Sequence, residues 1–271
     1  MATIYANTYT YKTAFAALKS GDTLILAPGN YGKLNMANKT YADTVTIQGG
    51  SFTGVAMSNV SNVTLDGSII KLTPTLTSTQ NTQAVRVVQS DHITITNAKI
   101  SGGLAINGVP QTATALDSTG NVLGLPTGKG VNFETSQDCS INNSDITLFH
   151  KGVTFSDSTN IDISNNTIHD LRTSPITDSV LNGLTIIGNH TWTSHPWNFG
   201  GAGDHGDRIH ILTDHESAHR IVIKDNLLEQ GAGEAMLGVY LDDNGQNLGF
   251  HDVTITGNTI IEGTGQGVLL E

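Results

Sequence analysis

Residues 203–215 read GDHGDRIHILTDH, which brings Asp204, His205, Asp207, Arg208, His210, Asp214 and His215 into one short stretch. Only 14% of the chain is charged, so such density marks a candidate site. An imidazole, with a reference pKa of about 6.5, exchanges protons at neutral pH. A neighbouring carboxylate can orient it, and a guanidinium matches the geometry of a bound carboxylate. The same residue types also raise metal binding. His215-Glu216-Ser217-Ala218-His219 spells H-E-x-x-H, a zinc pattern that works only where a helix puts both histidines on one face. Here it falls between two strand-like segments, so a chance match is expected. Calcium would draw on Asp204, Asp207, Asp242, Asp243 and Glu234 as hard oxygen donors. No EF-hand loop supports it, but it is the one cofactor these residues leave open. His169 and Asp170 read as turn residues.

The segments that must carry these residues repeat. One family reads SNVTLDGSI, DHITITNAKI, DCSINNSDI, NIDISNNTI, GLTIIGNHT, RIVIKDNLL and DVTITGNTI; its apolar anchors are Leu65, Ile95, Ile141, Ile163, Ile186, Ile223 and Ile255. A second family precedes each copy, as in GVAM, AVRV, GVNF, GVTF, PITD, RIHI and GVYL, with anchors Val55, Val85, Val131, Val153, Ile176, Ile209 and Val239; GVLL, anchored at Val268, follows the last copy. The shortest spacings, Val131 to Val153 and Val153 to Ile176, are 22 and 23 residues. That period with two or three strands per turn predicts an all-β parallel β-helix solenoid. Asn166, Asn189, Asn226 and Asn258 each follow an anchor by three residues and are expected to stack as a ladder. Cys139 falls in an inward column, as a buried apolar-like thiol. A short amphipathic helix over Lys12–Lys19 is expected to cap the first coil.

The totals agree with this reading. The chain has 271 residues, 30 glycines and one cysteine, so no intramolecular disulfide can form. Residues 1–271 are expected to be one solenoid, cut short inside a repeat at GQGVLLE. No apolar run reaches the roughly 20 residues of a membrane span, and the N-terminus lacks a signal-peptide core. The net charge of −11 argues against general nucleic-acid binding. A monomer without nucleic-acid or membrane partners is expected.

Strand alternation places Arg208 and His210 outward if Ile209 and Ile211 face inward. Stacking then aligns Thr177, His210 and Tyr240, with Asp242 beside them. The usual eight-residue connection, Phe155 to Ile163 for example, grows to 12 between Ile211 and Ile223 and to 14 between Leu241 and Ile255. Ile186 to Ile209 takes 23 residues and Ile223 to Val239 takes 16. Such loops are expected to wall a groove. One of them, residues 189–207, carries Trp192, His195, Trp197 and Phe199. It offers aromatic faces for sugar rings, or else a loop packed on itself. Arg86, Lys129, Lys151, Arg172 and Arg208 lie near the leading edge of the same strands. They are expected either to form a cationic track for carboxylates or to be ordinary surface charge.

AFAALKSGDTLILAPGNYG together with the repeated G-V-x-F…I-x-x-N-x-I resembles the right-handed parallel β-helix superfamily of pectate lyases, nearest the alginate lyase and mannuronan C5-epimerase branch. The likeness covers nearly the whole chain. It implies the fold, a polysaccharide partner, a secreted or extracellular setting, and removal of the C5 proton of a uronate residue. That chemistry needs a cation, a base and a proton donor. Arg208 or Arg172 could clamp the carboxylate, His210 could exchange the proton, and Tyr240 could donate. Asp207 or Asp242 would orient the histidine. Arg86, Lys151, Asp178, Trp192, His195 and Trp197 are the expected substrate contacts. The epimerase motif Y-G-F-D-P-H is not matched: RIHILTDH stands in its place, with His210 where the family has Asp. Glycoside hydrolysis through paired carboxylates such as Asp178 and Asp242, as in a tailspike depolymerase, and glycan binding without catalysis are the alternatives.

Overall fold

The computed structural model describes residues 1–73, 81–103, 115–116, 122–123, 128–180, 182–194, 198–199, 202–203, 206–229, 237–261 and 267–271. The chain winds into stacked coils, and a typical coil contributes one strand to each of three parallel sheets. Lys151–Ser156, Thr159–Ser164 and Thr167–Leu171 form one coil; Ile176–Ser179, Asn182–Ile187 and His190–Ser194 form the next. The two repeat families are the first and second sheets. The short third strand carries its inward residue five positions after each second-sheet anchor: Ile70, Ile100, Ile146, Ile168, Thr191, Leu228 and Ile260.

Register follows the apolar anchors. Val85, Val131, Val153, Ile176, Ile209, Val239 and Val268 are successive partners in the first sheet. Ile95, Ile141, Ile163, Ile186, Ile223 and Ile255 do the same in the second. From Val85 to Val239 and from Ile95 to Ile223 these side chains are completely buried, and each such burial stabilises by about 1.5–3 kcal/mol. A one-residue slip would turn every anchor to solvent, which is what holds the register.

The bends between sheets explain the abundance of Asn and Asp. Asp138, Asn160, Arg220 and Asp252 at one corner, and Asn143, Asn165 and Asp225 at another, all have φ between 50° and 56°. Asn and Asp tolerate this left-handed region better than other non-glycine residues. Inside the second bend the asparagine ladder forms as expected. Asn166 Nδ2 donates to Asn189 Oδ1 at 3.0 Å, Asn189 Nδ2 to Asn226 Oδ1 at 3.0 Å, and Asn226 Nδ2 to Asn258 Oδ1 at 2.8 Å. Each Oδ1 also accepts the backbone N–H of the preceding ladder residue. A second ladder runs through Ser90, Ser136 and Ser158 at the first bend.

The capping helix is Tyr11–Ala16, shorter than the expected Lys12–Lys19. Asp22 ends it early: its carboxylate accepts the N–H of Lys19 at 3.0 Å and of Ala2 at 2.8 Å, which ties the turn to the first strand. Tyr11 closes the end of the core against Phe15, Tyr31 and Phe52. Cys139 is buried, and burial pushes its thiol up to about 12. Among the described residues, no helix is long and apolar enough to cross a membrane.

Candidate active site

On the outer side of the first sheet, Arg86, Asn132, Thr154, Thr177, His210 and Tyr240 succeed one another as register partners. Asn132, Thr154 and Thr177 are buried despite facing away from the core. The column opens at His210, whose side chain is 18% exposed. Stacking two coils about 4.8 Å apart lays the His210 imidazole against the Tyr240 ring, with centroids 4.7 Å apart and planes 14° apart. The sequence placed these two rings together, and the structure brings them together.

Two carboxylates flank the imidazole. Asp207 Oδ2 lies 3.8 Å from Nδ1, and Asp242 Oδ2 lies 3.6 Å from Nε2. Asp207 is buried, whereas Asp242 meets solvent. Burial lowers the His210 pKa against the pull of both carboxylates, and Lys151 lowers it further. The ring is therefore neutral at neutral pH, the form that can accept a proton. Tyr240 is shifted the other way: burial raises its pKa, and so do a 2.7 Å hydrogen bond donated to Glu271 and the charge of Asp242. Among the described residues no cation helps to ionise this phenol, so it holds its proton and is suited to donate one.

Arg208 is not where strand alternation put it. Arg208 is only 1% exposed. Its guanidinium donates to the Gly206 carbonyl at 2.8 and 3.2 Å and to the Glu229 carbonyl at 3.4 Å. Pairing begins at Ile209, so Arg208 belongs to the corner between the third and first sheets, where alternation has not started. Other coils carry Gly130, Gly152 and Gly238 at this position, and a Cβ there would run into third-sheet side chains such as Ile168 and Ile260. Arg208 thus fills an interior corner, and burial lowers its pKa to about 10. Arg172, at the corner one coil earlier, is buried as well. Neither can clamp a substrate carboxylate in this geometry. Arg86 is exposed but pairs with Glu134 at 3.1 Å, four coils or about 19 Å along the column from His210. The expected cationic track is therefore not continuous.

The cations near the site are Lys129 and Lys151. Both face Asp178, with Nζ to Oδ2 distances of 3.2 and 3.8 Å. Burial holds the Lys151 ammonium below the ordinary lysine range, opposed by Asp178 and assisted by Lys129. Asp178 lies in register with inward-facing Ile211, yet its carboxylate reaches these outer lysines. The reason is local: its φ of 116° takes the chain out of strand geometry at that residue.

Trp192 is on the third sheet, in His190–Ser194, and is not a loop residue. The His169 ring stacks on its indole at 4.4 Å and 5°, and His190 packs against it at 4.4 Å and 46°. His169 in turn contacts Asp145 at 3.0 Å and Asp170 at 2.6 Å. The protein's own rings thus cover part of this indole, which stays half-buried. His195, Trp197, Asp204, His205 and Glu234 lie outside the described residues. In the H-E-x-x-H segment, His215 contacts Asp214 while His219 sits on the strand Ala218–Lys224 and stacks on His251, so the two share no helical face. Of the calcium candidates, Asp207 and Asp242 flank His210, and Asp243 accepts the Gly245 N–H. Among the described residues no group of three or more His, Cys, Asp or Glu is placed to hold a metal ion.

A family model described as right handed beta helix region matches residues 127–271, more than half of the chain. The protein belongs to the right-handed β-helix family. Its structure is similar to that of an alginate lyase from Paenibacillus sp. str. FPU-7, with a TM-score of 0.55 at 14% identity over 98% of this chain and 99% of that one. Pectate lyase Pel9A follows, with a TM-score of 0.51 at 10% identity over 96% and 78%. A Family 28 exopolygalacturonase from Yersinia enterocolitica gives 0.54 at 10% identity over 99% and 66%. At these identities the likeness is one of fold. No curated protein matches the sequence.

Proposed function

We propose that the protein acts on a uronate-containing polysaccharide outside the cell by removing the proton at C5, as a lyase or a C5-epimerase. The observation that carries this reading is the stacked His210–Tyr240 pair, in which a neutral imidazole lies against a protonated phenol. His210 accepts the C5 proton, with Asp207 and Asp242 orienting the ring and stabilising the imidazolium that forms. Tyr240 supplies the second proton, to the departing glycosidic oxygen in a lyase or back to C5 in an epimerase. Lys151 and Lys129, rather than Arg208 or Arg172, neutralise the substrate carboxylate as charge builds on it.

Incubation with a panel of uronate polymers in deuterated buffer tests this. New ultraviolet absorbance from a C4–C5 double bond identifies a lyase, and deuterium at C5 without chain cleavage identifies an epimerase. New reducing ends without unsaturation would replace the proposal with hydrolysis. Binding with no chemistry would leave a glycan-binding solenoid.

A further inference from the structure

We propose that Asp178 is a positioning residue: it fixes Lys129 and Lys151 as a pair beside His210 and leaves that pair one net positive charge, matched to a single uronate carboxylate. This rests on the proposed function for its substrate but not for its geometry. Asp178 adopts φ 116°, a strained region that residues other than glycine rarely enter. A glycine there would remove that strain. On a regular strand the side chain would join the inward column beside Ile211, where a carboxylate would be buried in an apolar core. The distorted backbone instead delivers Oδ2 to Lys129 and Lys151, which start the strands two coils and one coil away. Two ammonium groups this close repel each other, and Asp178 is the carboxylate that holds them together. Thr177, the preceding residue, is the register partner of His210, and the charge of Lys151 is felt at the His210 ring. The strained residue therefore sets the position of the site's cations without itself lying in the His210–Tyr240 column.

The test uses Asp178→Asn and Asp178→Gly in the full chain. The readouts are competitive acetylation of each lysine at mildly alkaline pH and calorimetric binding of an unsulfated uronate oligomer. Without the carboxylate, Lys151 still faces the charge of Lys129, so Asp178→Asn should label Lys151 about threefold faster or more, relative to exposed Lys12. Removing a negative charge would by itself tighten binding of an anion. Positioning predicts the opposite, a loss of about fivefold or more in both variants. Asp178→Gly also relieves the backbone strain, so a binding loss shared by both variants comes from the missing carboxylate and not from the backbone. Unchanged Lys151 labelling, or equal or tighter oligomer binding in both variants, would overturn the proposal. If no uronate oligomer binds the native protein while labelling changes as expected, the assigned substrate fails and the lysine pairing stands.

Discussion

Asn189→Ala perturbs the middle of the asparagine ladder, and its cost can be worked from the contacts. The Asn189 side chain donates to Ile163 O at 2.7 Å and to Asn226 Oδ1 at 3.0 Å, and accepts from the backbone N–H of Asn166 at 2.9 Å and from its Nδ2 at 3.0 Å. After truncation, Asn226 Oδ1 keeps the Asn189 backbone N–H and Asn166 Nδ2 keeps Ile141 O. The Asn166 N–H loses its side-chain acceptor inside the protein. An unsatisfied buried donor costs about 1–3 kcal/mol and each of the three other lost bonds about 1 kcal/mol, for a total of about 4–6 kcal/mol. Asn258, at the end of the ladder, is only half-buried, so water can replace what Asn258→Ala removes, at about 1 kcal/mol. Urea unfolding followed by circular dichroism, compared at equal m-values, measures both. Equal losses for the two variants, or a loss below about 1 kcal/mol for Asn189→Ala, would refute the ladder as an energetic spine.

Three further outcomes are expected. His210 has a folded-state pKa below its unfolded value, so as pH falls through about 6.5 the unfolded chain takes up the proton first. Stability is intact above that pH, declines below it, and levels off beneath the folded pKa; His210→Gln should flatten this part of the stability–pH curve. Arg208→Ala should lower stability by about 3–5 kcal/mol, because it removes a buried guanidinium beside buried Asp207; an unchanged melting temperature with lost substrate binding would return Arg208 to the surface role the structure denies it. Cys139, raised to about 12, should resist an aromatic disulfide reagent in the native protein and react once it is unfolded in denaturant.

The fold was legible because each coil is too small to bury its own side chains, so the stacking requirement writes Val, Ile and Asn into fixed places in every repeat. The serine ladder carried the same kind of signal: Ser90, Ser136 and Ser158 each follow Val87, Phe133 and Phe155 by three residues. The pairing of His210 with Tyr240 was legible for the same reason, since register alone decides it. What strand alternation could not reach lay at corners. Arg208 lies just before its strand and Arg172 just after one, so their side chains answer to the shape of the corner and are buried. Asp178 leaves strand geometry through its own φ, which no residue pattern announces. Trp192 reads as part of a loop because its coil carries Thr191 where the other third strands carry Ile or Leu.

The most direct measurement is C5 proton exchange with deuterated solvent on a uronate polymer that the native protein turns over, repeated with His210→Ala and Tyr240→Phe at matched folded fraction. Loss of exchange by about 10²-fold or more in His210→Ala, with added imidazole restoring part of it, is the expected result. Exchange at the native rate in both variants would contradict the assignment of these rings to the chemistry.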